Sequence, residues 1–89
     1  MNKELIKQNL EVARTYLGKN ASEFSTMFGK EKSYYGATLK RNTLPSIDFM
    51  LEICKYLNIR IDQFLNEKLK LKLMFEEEDI QENEEETNE

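Results

Sequence analysis

The chain has 89 residues with one cysteine and no histidine, so a single domain with a modest core is expected, and an internal disulfide or a Cys/His metal site is excluded. Its net charge of -4 is unevenly placed, because residues 76–89 contain nine of the seventeen acidic residues and no basic one. Residues 1–75, with thirteen basic and eight acidic side chains, therefore carry +5.

No stretch approaches the roughly 20 apolar residues that would cross a bilayer, and the N-terminus lacks the apolar run of a secretory signal. A lone cysteine suits a reducing compartment. The sequence therefore predicts a cytoplasmic protein without a membrane partner.

Three helices are predicted in the first half of the chain. Apolar residues at helical spacing predict a first helix from Lys3 to Leu17, with Gly18 at its C-terminal end. Asn20 caps a short second helix, "ASEFSTMFG", in which Phe24, Met27 and Phe28 face inward and the last glycine provides a left-handed turn. The third helix is "KSYYGATLKR", residues 32–41, which carries a glycine at its centre and basic side chains at its end.

A longer fourth helix and a short fifth one complete the predicted core. Pro45 and Ser46 mark the start of the fourth helix. Its predicted buried side consists of Ile47, Met50, Leu51, Ile53, Cys54 and Leu57. The segment "IRIDQFLN" predicts the fifth helix, with apolar side chains closing the bundle.

After Glu67 the spacing of apolar residues changes from the helical period to a period of two, in "KLKLKLMF". A lone strand needs a partner, so residues 67–75 are predicted to pair with the same segment of a second copy in a homodimer. The predicted dimer contacts are Leu69, Leu71, Leu73 and Phe75. Two alternatives, a sixth helix and a strand folded onto its own bundle, together have about equal weight. The acidic residues 76–89 are predicted to be disordered.

The stretches "EFSTMFGKEKSYYGATLK" and "LPSIDFMLEICKYLNIRIDQFL" resemble the Cro/CI-like, or XRE, family of helix-turn-helix repressors from phages and plasmids. The resemblance implies an all-α, five-helix, lambda-repressor-like bundle over residues 1–66, in which the second and third helices form the DNA reader. The chain departs from the family pattern at Ala21, Lys30, Leu39, Arg41 and Cys54.

Carried onto this chain, the resemblance assigns base-reading positions to the early, exposed face of the third helix: Lys32, Ser33, Tyr34, Gly36 and Ala37. The second tyrosine of the pair, Tyr35, falls on a core position. Gly36 has two readings. Without a side chain it lets the helix backbone approach a DNA groove, or it accommodates a tight crossing with another helix.

Phosphate contacts are predicted at both ends of the reader: Lys19, Asn20, Ser22, Lys40, Arg41 and Asn42. At the start of the second helix, backbone N–H groups would add to the attraction for an anion.

Together these residues predict a homodimeric transcription regulator, a repressor by type, that binds an inverted repeat in double-stranded DNA and needs no cofactor or metal. Catalysis is not expected, since the chain has no histidine, phosphate-binding loop or recognisable carboxylate pair. The rival hypothesis is a protein-interaction module on the same fold, such as an antirepressor, an inhibitor or an antitoxin. In that case the acidic tail would bind a protein partner; in a DNA-binding protein it would compete with DNA for the basic face.

Overall fold

The computed structural model describes residues 2–71, which form five α-helices and contain no strand. They are α1 (Lys3–Tyr16), α2 (Ala21–Met27), α3 (Tyr34–Arg41), α4 (Ile47–Leu57) and α5 (Ile61–Asn66). The predicted all-α class and order of helices are confirmed. The predicted dimer residues Leu73 and Phe75 and the acidic segment 76–89 lie outside the described residues.

The ends of α1 and α2 are set by the side chains that the sequence singles out. Asn20 and Glu23 form a capping box at the start of α2, in which each side chain accepts a hydrogen bond from the other residue's backbone N–H. Gly18 after α1 and Gly29 after α2 have φ values of 70° and 81°, which side chains disfavour. These predicted boundaries are confirmed.

The centre of the core is a cluster of aromatic rings contributed by α2, α3 and α4. Phe24 packs edge-on against Tyr35 and Phe49, with ring centroids 4.9 and 5.5 Å apart. Phe28 joins the cluster from the end of α2. Tyr35 is fully buried, as predicted.

The predicted buried side of α4 is wrong at two positions. Ile47 and Leu51 are 48% and 44% exposed. The helix is rotated so that Phe49 enters the aromatic cluster, while Met50, Ile53 and Cys54 fill the remainder of its buried face. The apolar positions of α4 span more than one face, so a count of apolar residues could not show which of them the neighbouring helices cover.

Cys54 lies in the core, and burial raises the pKa of its thiol to about 11, from an ordinary value of 9.0. Since the thiolate is the nucleophile, we expect alkylation by iodoacetamide at pH 8 to be about a hundredfold slower than in an unfolded chain. Mass spectrometry of timed samples, with and without denaturant, checks this. Equal labelling rates would contradict the buried position.

Residues 67–71 pack against the bundle through one buried amide. Asn9 on α1 donates from Nδ2 to the carbonyl oxygens of Phe64 and Glu67, both at 2.8 Å. Its Oδ1 accepts from the backbone N–H of Leu69 at 2.9 Å. Asn9 thereby satisfies carbonyls at the end of α5, which lack helical partners, and holds the following segment against α1.

This anchoring corrects the prediction of a dimer contact at Leu69, whose side chain is only 4% exposed and belongs to the core of its own chain. Leu71 is partly buried against the same core. The segment reaches its own bundle because Asn9 offers backbone hydrogen bonds that would otherwise require a strand. Of the alternatives, packing onto the same chain is the closest, although the described part is not a strand.

Candidate nucleic-acid interface

The exposed side of the α2–α3 pair carries a shallow depression of about 300 Å³. It is lined by Ala21, Ser22, Lys32, Ser33, Gly36, Ala37 and Lys40. Four of the five predicted base-reading residues thus share one surface with two predicted phosphate contacts, Ser22 and Lys40. We call this surface the α3 face, and it includes the neighbouring Arg41.

A second depression of about 260 Å³ continues the α3 face toward the end of the helix. Arg41 lines it together with Glu31 and Tyr34, and Ser33 and Ala37 belong to both depressions. Arg41 is thereby placed beside the predicted base-reading residues.

The start of α3 is later than predicted. The helix begins at Tyr34, so Lys32 and Ser33 belong to the preceding turn. Ser33 occupies the cap position without a capping hydrogen bond, and its Oγ instead donates to the Glu31 carboxylate at 2.9 Å. A base contact by Ser33 would require this bond to break or to be shared.

Tyr34 was predicted to be the exposed member of the tyrosine pair, but it is half-buried and docked against α4. Its ring lies 5.2 Å from that of Phe49, and its hydroxyl accepts a hydrogen bond from the backbone N–H of Ser46 at 2.7 Å. Lys30 covers the ring, with Nζ 5.2 Å from its centroid. Tyr34 therefore joins α3 to α4, which corrects its prediction as a freely projecting reader.

Gly36 has no packing role within the chain. A Cβ atom placed there would meet no other atom within 4 Å, and its φ is not in the left-handed region. The helix-crossing explanation is therefore wrong. The chain accepts the helix penalty of glycine, about 1 kcal/mol relative to alanine, on a face where an alanine would fit.

The predicted anion site at the start of α2 is largely occupied by the protein itself. The backbone N–H groups of Asn20 and Glu23 are both bonded within the capping box, and the Glu23 carboxylate adds a negative charge. The backbone carbonyl of Lys19 accepts from Arg14 at 2.7 Å, which fixes the chain just before α2. Phosphate contact through these backbone groups is accordingly disfavoured.

Asn42 ends α3 in a left-handed conformation, and its Oδ1 accepts a hydrogen bond from Lys7 on α1. The predicted phosphate contact at Asn42 is thus engaged within the chain. Lys7 is brought close to the end of α3, a placement that no sequence signal indicated because 35 residues separate the two.

The orientation of α3 is held by two polar residues beneath it. The Ser25 hydroxyl accepts from the backbone N–H of Tyr35 at 2.9 Å and donates to the carbonyl of Ala21 at 2.8 Å, so it joins α2 to α3. The Tyr35 hydroxyl donates to Glu11 on α1 at 2.6 Å. These bonds keep the α3 face pointing outward.

Glu11 also pairs with Arg14 at 2.7 Å, and the Arg14 guanidinium is the largest influence that lowers the pKa of the Glu11 carboxyl. Burial, followed by the bond to Glu11, raises the pKa of the Tyr35 hydroxyl. Tyr35 therefore stays protonated at neutral pH and can donate to Glu11.

The cations of the α3 face are not neutralised by the chain. Lys32, Lys40 and Arg41 are exposed, and the two ion pairs among residues 2–71, Arg14–Glu11 and Arg60–Asp62, lie elsewhere. The acidic residue in the lining of the face is Glu31. The face can therefore offer three positive side chains to an anion.

No family model, characterised protein or solved structure matches this chain. Within residues 2–71, no helix has both the length and the apolar character needed to cross a bilayer. The same residues contain no group of three or more potential ligands that could hold a metal ion.

Proposed function

We propose that the chain is a transcription regulator, a repressor by type, that binds double-stranded DNA with the α3 face in the major groove. The observation that carries this proposal is Gly36: an open glycine in the middle of an exposed helix, flanked by Lys32 and Lys40. Such a position sacrifices helix stability without a gain inside the chain. Close approach of an external partner to the helix backbone supplies the missing reason.

The chemistry of the face suits a duplex. Lys32, in the turn that leads into α3, can donate to the acceptors of guanine, and Ala37 can contact a thymine methyl group. Lys40 and Arg41 in the last turn, and Ser22 at the start of α2, can contact phosphates on either side of the groove. The bond from Tyr34 to Ser46 and the hydrogen bonds made by Ser25 hold the reader in place.

The resemblance to XRE-family repressors supports the same proposal, since a helix-turn-helix pair at residues 21–41 fits its reader. On this reading the five helices form a lambda-repressor-like bundle, and the protein acts in the cytoplasm on an inverted repeat.

A salt titration of binding to a random duplex tests the proposal. Neutralising phosphates releases counterions, so affinity should fall steeply and linearly on a log–log plot, with a slope of about -0.9 for each phosphate contacted. No measurable binding at low salt would contradict the proposal and favour the rival, a protein-interaction module.

Alanine replacements of Lys32 and Lys40 should have different consequences. Replacing Lys32, at the entrance of α3, should cost about 1–3 kcal/mol on the selected site and relax the preference at one base pair. Replacing Lys40 should weaken all sequences alike and reduce the salt slope by about one. Binding to sites selected from random DNA, compared with binding to mismatched sites, measures both effects.

The matched control is Lys68→Ala, an exposed lysine beyond α5 that lines neither depression. It should leave specific affinity within twofold of the original. Equal losses for Lys68 and Lys32 would mean that net charge, rather than the α3 face, governs binding.

A further inference from the structure

The outward side of α4 carries two large aliphatic side chains that residues 2–71 do not cover. Ile47 and Leu51 are about half exposed and stand four residues apart, so they are neighbours on one helical stripe. The pair is an exposed apolar surface distinct from the α3 face.

Charged residues beside this stripe are ordered along the helix. Asp48 and Glu52 lie toward the start of α4, and Lys55 lies toward its end. All three are exposed, and none forms an ion pair among the described residues. Asp48 and Glu52 are themselves four residues apart, a spacing at which like charges repel within a helix.

We propose that α4 packs antiparallel against α4 of a second copy of this chain, about a two-fold axis beside Leu51. Asp48 and Lys55 are seven residues, or two helical turns, apart, and their midpoint falls next to Leu51. An axis at that point places Asp48 opposite Lys55 of the partner subunit and repeats the pair by symmetry. The two Leu51 side chains then meet at the centre, flanked by Ile47.

A second copy fits this surface because the pattern is complementary to itself when reversed. Opposite charges at the two ends of an apolar centre select the antiparallel register and disfavour the parallel one, which would bring like charges together. The inference rests on the proposed function only for its purpose, which is to hold two α3 faces on one operator.

Sedimentation equilibrium of the full chain without DNA tests the interface by charge exchange. Asp48→Lys and Lys55→Asp should each weaken self-association about tenfold, since each creates two repulsive pairs in the dimer. An equimolar mixture of the two variants should recover the original affinity as a heterodimer, because both of its cross-pairs are attractive. Thermal unfolding should verify that each variant is folded.

Acidic residues at the start of a helix and basic ones at its end also favour the helix dipole within a single chain. If the charges served only that purpose, the mixture would associate no better than its components, and this result would overturn the proposal. So would a wild-type chain that sediments as a monomer at millimolar concentration. The control is Tyr56→Ala, an exposed position on another flank of α4, which should leave self-association unchanged.

Leu51→Asp separates the interface from DNA binding. It should abolish the dimer while keeping low-salt affinity for a half-site duplex, with only inverted-repeat affinity lost. If the heterodimer forms but no variant binds any duplex, the interface stands and the proposed function fails.

Discussion

Replacement of Asn9 by alanine is expected to lower the free energy of unfolding by about 3 kcal/mol or more, a large part of the stability of a domain of this size. The side chain is fully buried, and its amide satisfies the carbonyls of Phe64 and Glu67 and the N–H of Leu69. Alanine would leave these three backbone groups without a partner in the interior. Urea unfolding followed by circular dichroism measures the loss.

The matched control is Asn66→Ala, the same substitution at an exposed site. The Asn66 amide donates to the carbonyl of Asp62 at 2.9 Å, within reach of water, so its loss should cost less than about 0.5 kcal/mol. Hydrogen exchange gives a second reading, because the amide of Leu69 should lose its protection in the Asn9 variant even in molecules that remain folded. Equal costs for the two asparagines would contradict the anchoring role of Asn9.

The helices could be predicted from the sequence because their signals are local. Asn20 and Ser46 accept the capping hydrogen bonds expected of them, and Gly18 and Gly29 adopt the positive φ that ends a helix. Each signal acts within a few residues of its effect, so it could be recognised before the helices were packed together.

Features that depend on contacts between distant helices could not be predicted in the same way. Tyr34 and Tyr35 are adjacent, and only the position of Phe49 and Ser46 on α4 shows that both are held. Asn9 looked like a polar interruption of α1, since its partners lie 55 to 60 residues later.

The candidate site was predicted in part for the same reason. The α3 face is assembled from one helix and the turn before it, so the resemblance brought most of its residues together. The engagement of Ser33 by Glu31, and of Asn42 by Lys7, depends on side-chain geometry that a linear pattern does not contain. Leu69 followed an alternating pattern typical of a strand, but an amide from α1 met its backbone first.

Lengthening the side chain at Gly36 is expected to separate stability from binding. Gly36→Ala should raise the free energy of unfolding by about 0.5–1 kcal/mol, since its Cβ meets open space and alanine is the better helix former. Gly36→Gln should also be at least as stable as the original chain. Because its side chain would project between helix and groove, it should weaken DNA binding by about 2–3 kcal/mol, or 30- to 100-fold.

The control for stabilisation alone is Thr15→Ala, at an exposed position on α1 where alanine is likewise the better helix former. It should leave DNA affinity unchanged, because it lines neither depression of the α3 face. Paired measurements of urea unfolding and duplex binding then distinguish the two explanations of the glycine. A Gly36→Gln chain that binds as tightly as the original would mean that the helix backbone does not approach a partner there. A loss of binding accompanied by a gain in stability is what a surface adapted to an external groove requires, since only the partner benefits from the missing side chain.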